Sequence, residues 1–244
     1  MNRMQSNTST KQTLQLYISC KNLPDKDVIS KSDPFVEVFE NGAKIGQTEQ
    51  ISDDLNPHFN KPIELVYQFE RRQLLRFEVN DDDFGGKSEH LGEIEIALGA
   101  LVSSIEPGSP GLCKKLMDKR KKSTASEITI NVVEVKSAGH QIVHLKCEGY
   151  KLDKMDWFGK SDPYFEIWCG KNAMVYRSEV IKSDLNPKWK VAEFSFARME
   201  AFDSFDIKVF DWDQHGDNSR VFKKYDSEEP KKFLFCHKIS KLRS

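Results

Sequence analysis

Apolar side chains alternate with polar ones along most of the chain. Leu14, Leu16 and Ile18 stand between polar neighbours, and the same pattern recurs over residues 35–39, 75–79 and 91–96. It returns over 143–147, 164–168, 193–196 and 205–210. Successive side chains of a strand point to opposite faces, so a period of two predicts half-buried strands. Gly, Pro, Asn and Asp punctuate the strand ends and supply the backbone angles of turns. Many short strands between turn signals predict an all-β chain of antiparallel β-sandwiches.

Three blocks occur twice. Lys31-Ser32-Asp33-Pro34-Phe35 returns as Lys160-Ser161-Asp162-Pro163-Tyr164, and Asp54-Leu55-Asn56-Pro57-His58-Phe59 as Asp184-Leu185-Asn186-Pro187-Lys188-Trp189. Phe77-Glu78-Val79-Asn80-Asp81-Asp82-Asp83 returns as Ile207-Lys208-Val209-Phe210-Asp211-Trp212-Asp213. The offsets are 129, 130 and 130 residues, a regularity that marks two copies of one module. A strand over 128–135 closes the first copy. The expected division is a disordered polar tail over 1–12, a first domain over 13–137 and a second over 138–244. Within the first copy, the Gly/Pro block 106–111 reads as a loop. The run Lys114, Lys115, Lys119, Arg120, Lys121 and Lys122 after it reads as a solvated inter-strand loop, with an anionic-lipid contact as the alternative.

Composition narrows the function classes. The 244 residues carry 37 Lys and Arg against 38 Asp and Glu, which speaks against a nucleic-acid binder. The five cysteines are widely spaced and include no Cys-x-x-Cys pair, so neither a disulfide framework nor a zinc site is expected. The N-terminus lacks the apolar core of a signal peptide, and no stretch approaches a membrane span. The chain reads as cytoplasmic and reduced.

Acidic residues collect at the strand ends in a repeated pattern. Asp27 and Asp33 are six apart across one loop, and Asp81, Asp83 and Glu89 follow in another. Asp156 and Asp162 are again six apart, followed by Asp211 and Asp213. Each Asp-x-Asp pair ends an alternating strand, so both side chains point to one side of the sheet tip. Carboxylates so close repel one another, and a bound cation relieves that repulsion. A loop-built cage of oxygen ligands suits Ca²⁺ better than the stricter Mg²⁺. Any single Asp here also reads as an ordinary turn former.

The Ser-Asp-Pro-aromatic, Leu-Asn-Pro and Asp-x-Asp blocks together resemble C2 domains, eight-stranded sandwiches that bind membranes with calcium. Gly108-Ser109-Pro110-Gly111, the stretch 151–163 and Val209-Phe210-Asp211-Trp212-Asp213 are similar to copines, in which two C2 domains precede a von Willebrand A-type domain. The resemblance covers residues 13–222 and no A-type domain is expected in this chain. It implies calcium ligands at Asp27, Asp33, Asp81, Asp83 and Glu89 in the first copy, with Glu89 where the family usually has Asp. In the second copy it implies Asp156, Asp162, Asp211 and Asp213. The fifth position there is Ser219, which leaves Asp217 as the substitute. After Ser219 the Gly-containing strand of the first copy has no recognisable counterpart, so the second sandwich is either incomplete at its C-terminus or completed by an unusual C-terminal stretch.

Val28 and Ile29, Phe84, and Trp157 and Phe158 occupy loop tips from which they could enter a bilayer interface; packing back against the loops is the alternative. Lys182, Lys188 and Lys190 flank the second Leu-Asn-Pro turn and could meet anionic headgroups, or simply be solvated. Phe59 and Trp189 are expected in the core. No nucleophile elbow, phosphate loop or His-Glu-x-x-His motif is present, and His90 reads as a loop residue, so no enzyme is expected. The expected function is calcium-dependent phospholipid binding by an adaptor recruited to plasma or intracellular membranes when calcium rises. The competing expectation is a calcium-independent scaffold for unknown protein targets.

Overall fold

The computed structural model describes residues 11–25, 31–83, 87–106, 109–135, 141–154, 160–200, 202, 204–212 and 233–243, with backbone alone for 83, 87 and 233–243. The chain divides into two units, Met1–Lys136 and Ser137–Ser244.

The first unit runs β1 (Lys11–Lys21), β2 (Pro34–Glu40), β3 (Ala43–Gln47), β4 (Ile63–Gln68), β5 (Leu74–Asp83), β6 (Lys87–Ala97), a short helix α1 (Leu98–Val102), β7 (Leu112–Met117) and β8 (Ser123–Val135). β1 begins two residues earlier than the alternation predicts, taking in Lys11 and Gln12, which pair with Gln68 and Tyr67 of β4. His90 is a β6 strand residue, not a loop residue.

The strand order is β3-β2-β5-β6-β7-β8-β1-β4. β6 and β7 meet through Glu93 opposite Met117. The eight strands therefore form two four-stranded layers that face each other across one core. Leu14, Leu16, Ile18, Ile128 and Ile130 line one layer, and Val36, Val38, Phe77 and Val79 the other. Phe59 joins them, fully buried. β2 shows how pattern becomes packing: its alternate residues Pro34, Val36 and Val38 are buried while Phe35 and Glu37 are half-buried. Gly111 enters β7 at φ +106°, and a Cβ there would stand 2.3 Å from the Ile130 carbonyl oxygen, so this approach admits glycine alone.

The second unit holds β9 (Gln141–Tyr150), β10 (Pro163–Cys169), β11 (Ala173–Arg177), β12 (Ala192–Ser195), β13 (Phe205–Asp211) and β14 (Phe233–Arg243). Two three-stranded sheets result, ordered β11-β10-β13 and β12-β9-β14. Leu145, Cys147, Phe165, Ile167, Val175, Trp189 and Val209 make its core. The Phe165 ring meets Trp189 edge-on at 5.1 Å between centroids, a favoured aromatic geometry. Phe196, expected to end a strand, opens a 3₁₀ turn instead.

One open reading is decided here and one expectation is corrected. Of the two readings of the Lys- and Phe-rich C-terminal stretch, the structure favours the unusual substitute: β14 pairs antiparallel with β9 from Phe233 opposite Tyr150 to Arg243 opposite Gln141, while the Gly-containing strand β6 has no counterpart among the described residues. β14 thereby takes the place that β8 holds beside β1. The alternation is hard to read because a register shift falls between Lys238 and Ser240. The correction concerns the cysteines. Cys147 is buried and disulfide-bonded, and the residue opposite it in the ladder is Cys236. Wide spacing along the chain is no guide here, because antiparallel pairing sets residues from remote stretches opposite one another.

Candidate carboxylate site at the strand ends

The repeated blocks build the same loop base twice. In the first unit Pro34 pairs with Asp81 across β2 and β5, so the Asp33 backbone N–H donates to Asp81 Oδ1 at 2.6 Å. Asp33 Oδ1 in turn accepts the Asp53 N–H at 2.8 Å. In the second unit Asp162 N–H donates to Asp211 Oδ1 at 2.6 Å, and Ser183 N–H to Asp162 Oδ1 at 2.7 Å. Asp53 and Ser183 reach these positions at φ 57° and 53°.

The Leu-Asn-Pro block supports this base from one side. Asp54 and Asp184 each accept the N–H of the Asn two residues on, at 2.8 Å. The oriented amides then accept across the module: Asn56 Oδ1 from Asn22 N–H and Asn186 Oδ1 from Lys151 N–H, both at 3.0 Å. The serines of the Ser-Asp-Pro blocks are fully buried. Ser32 Oγ donates to the Pro24 carbonyl at 3.3 Å and Ser161 Oγ to the Asp153 carbonyl at 2.9 Å. These bonds tie together described residues on either side of 26–30 and 155–159, which lie outside the described ones.

Burial sets the electrostatics. Asp81 is fully buried and its Oδ2 has no hydrogen-bond partner. A buried carboxylate oxygen left without a donor is costly, and an oxygen-seeking cation is the partner it lacks. The ladder puts Glu89 opposite Asp81, with its side chain exposed. Asp33, Asp81 and Glu89 are thus gathered at one sheet end, although no described residues form a cluster of three or more acids, histidines or cysteines that could by themselves hold a metal. Asp27, Asp156, Asp213 and Asp217 lie outside the described residues, as do Val28, Ile29, Phe84, Trp157 and Phe158; Asp83 is described as backbone at the end of β5.

The two bases differ at one carboxylate oxygen. Asp33 Oδ2 accepts from the neutral Gln50 side chain at 3.2 Å. Asp162 Oδ2 faces the Lys182 ammonium at 3.1 Å, which also stands 3.3 Å from the centroid of the Trp212 ring. The sequence leaves Lys182 either facing anionic headgroups or solvated; the structure keeps it exposed and adds this contact. The signal was there, since the repeat aligns Lys182 with Ser52 and Trp212 with Asp82. Lys188 and Lys190 are exposed on either side of the buried Trp189. The basic run splits between β7 and a turn in which Asp118 Oδ1 accepts the Arg120 and Lys122 N–H groups at 2.8 and 2.9 Å. Lys121 hydrogen-bonds Glu93, which holds the Glu93 carboxyl below its ordinary range. Burial pushes the His90 imidazole down, against the pull of Glu93.

Among the described residues no helix is long and apolar enough to cross a membrane. The chain is 38% identical over 227 residues to Copine-E of Dictyostelium discoideum, covering 85% of this chain and 38% of that protein. Copine-D and Copine-B of the same organism are 32% and 35% identical, covering 86% and 84% of this chain and 42% and 40% of theirs. The chain thus spans about two-fifths of the length of these relatives. Among solved structures, the calcium-bound tandem C2 domains of Extended-Synaptotagmin 2 align with TM-score 0.39 and 18% identity, over 86% of this chain and 83% of that one. The family model for the C2 domain matches residues 12–110 and 140–223, one stretch in each unit. The chain belongs to the C2-domain family, and it resembles the copines in carrying two such domains in series.

Proposed function

We propose that the protein is a calcium-responsive membrane-recruitment adaptor, in which Asp27, Asp33, Asp81, Asp83 and Glu89 hold Ca²⁺ at the first unit's loops and Asp156, Asp162, Asp211, Asp213 and Asp217 at the second's. The observation that carries this reading is the fully buried Asp81 with an unpartnered Oδ2 beside Asp33. Bound Ca²⁺ would cancel carboxylate charge and offer coordination positions to lipid phosphate. The chain's own part is to hold the acids at fixed spacing: Asp33 N–H orients Asp81, and Asp53 N–H orients Asp33. Val28, Ile29, Phe84, Trp157 and Phe158 would add apolar insertion, and Lys188 and Lys190 attraction to anionic headgroups. The action is binding rather than catalysis, at the cytoplasmic face of plasma or intracellular membranes.

Sedimentation with phosphatidylserine–phosphatidylcholine vesicles, in calcium and in EGTA, tests the reading. Wild type should pellet in calcium and stay soluble in EGTA, and Asp81→Asn should weaken the calcium-dependent fraction by about tenfold or more. Calcium-insensitive sedimentation together with an unaltered Asp81→Asn variant would point instead to a scaffold that docks protein partners.

A further inference from the structure

The second carboxylate cluster already has a cation beside it. Lys182 Nζ lies 3.1 Å from Asp162 Oδ2 and 3.3 Å from the Trp212 ring centroid. Two attractions therefore act on one ammonium group, an ion pair and a cation–π contact. The backbone fixes where that lysine starts: Ile181 N–H donates to the Pro163 carbonyl at 3.0 Å, as Ile51 N–H does to Pro34 at 3.1 Å. Ser183 N–H then binds the other oxygen of Asp162. In the first unit the same two positions are Ser52 and Asp82. That unit puts a neutral amide, Gln50, on Asp33 Oδ2.

We propose that Lys182 is a tethered counter-ion that competes with divalent cations for the second unit's acids and raises the calcium level at which that unit responds above that of the first. The proposal rests on the calcium reading given above and refines it. An ammonium in contact with a ligand carboxylate repels an incoming dication and must leave before that oxygen can coordinate. Trp212 gives the ammonium a second attraction, so leaving costs more than breaking an exposed ion pair alone.

All four tryptophans, Trp157, Trp168, Trp189 and Trp212, lie in the second unit. Tryptophan emission of the full chain therefore reports that unit. Calcium chloride is titrated into wild type, Lys182→Ser and Lys182→Arg, with total calcium heat measured in parallel for wild type and Asp81→Asn. Lys182→Ser should lower the emission midpoint by about tenfold, and Lys182→Arg, which keeps the charge, should stay near wild type. In EDTA, Lys182→Ser should also shift Trp212 emission while Lys188→Ser does not, a readout that needs no bound metal. If Asp81→Asn lowers the total calcium heat yet Lys182→Ser leaves the midpoint unmoved, the counter-ion proposal falls and the calcium reading stands. A midpoint lowered equally by Lys182→Arg overturns it too, because charge is then not the cause. No calcium response in any variant overturns both.

Discussion

The two units solve the same packing problem with the same small parts, yet they differ where an ion would bind. Each closes its loop base with an Asp N–H to the carboxylate of a later strand, at 2.6 Å in both. Each aims an Asn amide across the module at 3.0 Å. Each anchors its second strand by a hydroxyl, with Val36 N–H on Thr48 at 3.0 Å and Phe165 N–H on Ser178 at 2.9 Å. Against that shared frame, Asp33 Oδ2 accepts from the neutral Gln50 amide in the first unit, whereas its counterpart Asp162 Oδ2 faces the Lys182 ammonium in the second. Scaffold residues repeat because the backbone needs their hydrogen bonds. Residues facing the candidate ion site are free of that constraint and can set how each copy responds.

The strongest way to break the comparison is to unfold one unit. Phe165→Ala removes a fully buried ring that packs on Trp189 and Tyr176, and should cost the second unit about 3–5 kcal/mol. A urea titration should show the tryptophan-reported transition moving to lower urea while a separate first-unit transition, followed by circular dichroism, stays in place. Next comes Asp81→Asn, which keeps an acceptor for the Asp33 N–H but removes a buried charge. In EDTA it should raise the first unit's stability by about 1–2 kcal/mol, measured by thermal melting; a loss instead would mean that the carboxylate is satisfied without an ion. Asn56→Ala and Asn186→Ala should each cost their own unit about 1 kcal/mol. Clearly unequal losses by denaturant titration would show that the Leu-Asn-Pro turns are not equivalent.

The smallest effect belongs to the first unit alone. Glu93 has its carboxyl held down by the Lys121 hydrogen bond, so the folded form binds its proton less readily than the unfolded one. Its stabilising contribution is complete above the ordinary value of 4.5 and fades as pH falls through the lowered one. Melting curves of wild type and Glu93→Gln should therefore differ slightly at neutral pH and converge in acid.

Alternation made most strands legible, because burial on one face of a sheet leaves a period-two trace in residues such as Val36, Val38, Phe77 and Val79. The repeat made the loop base legible, since Asp33 and Asp162 do the same job at the same spacing. β14 was not legible, because its register shift interrupts the period and nothing in it copies β8. The Lys182 ion pair was not legible for a different reason: the lysine is exposed, and its partner carboxylate lies twenty residues earlier in sequence. The Cys147 disulfide was not legible either, because spacing along the chain does not show which residues a ladder sets opposite one another.

Pairing of β9 with β14 also bears on when each half of the chain can mature. β1 must wait for β8, its partner in the ladder far downstream, and β9 for residues 233–243. Such long-range closure slows folding. As the chain leaves the ribosome, the N-terminal sandwich can finish while its neighbour is still lacking a wall. For that interval the edge of β9 away from β12 is an open template for stray strands, and chaperone demand should peak between the emergence of β12 and that of β14.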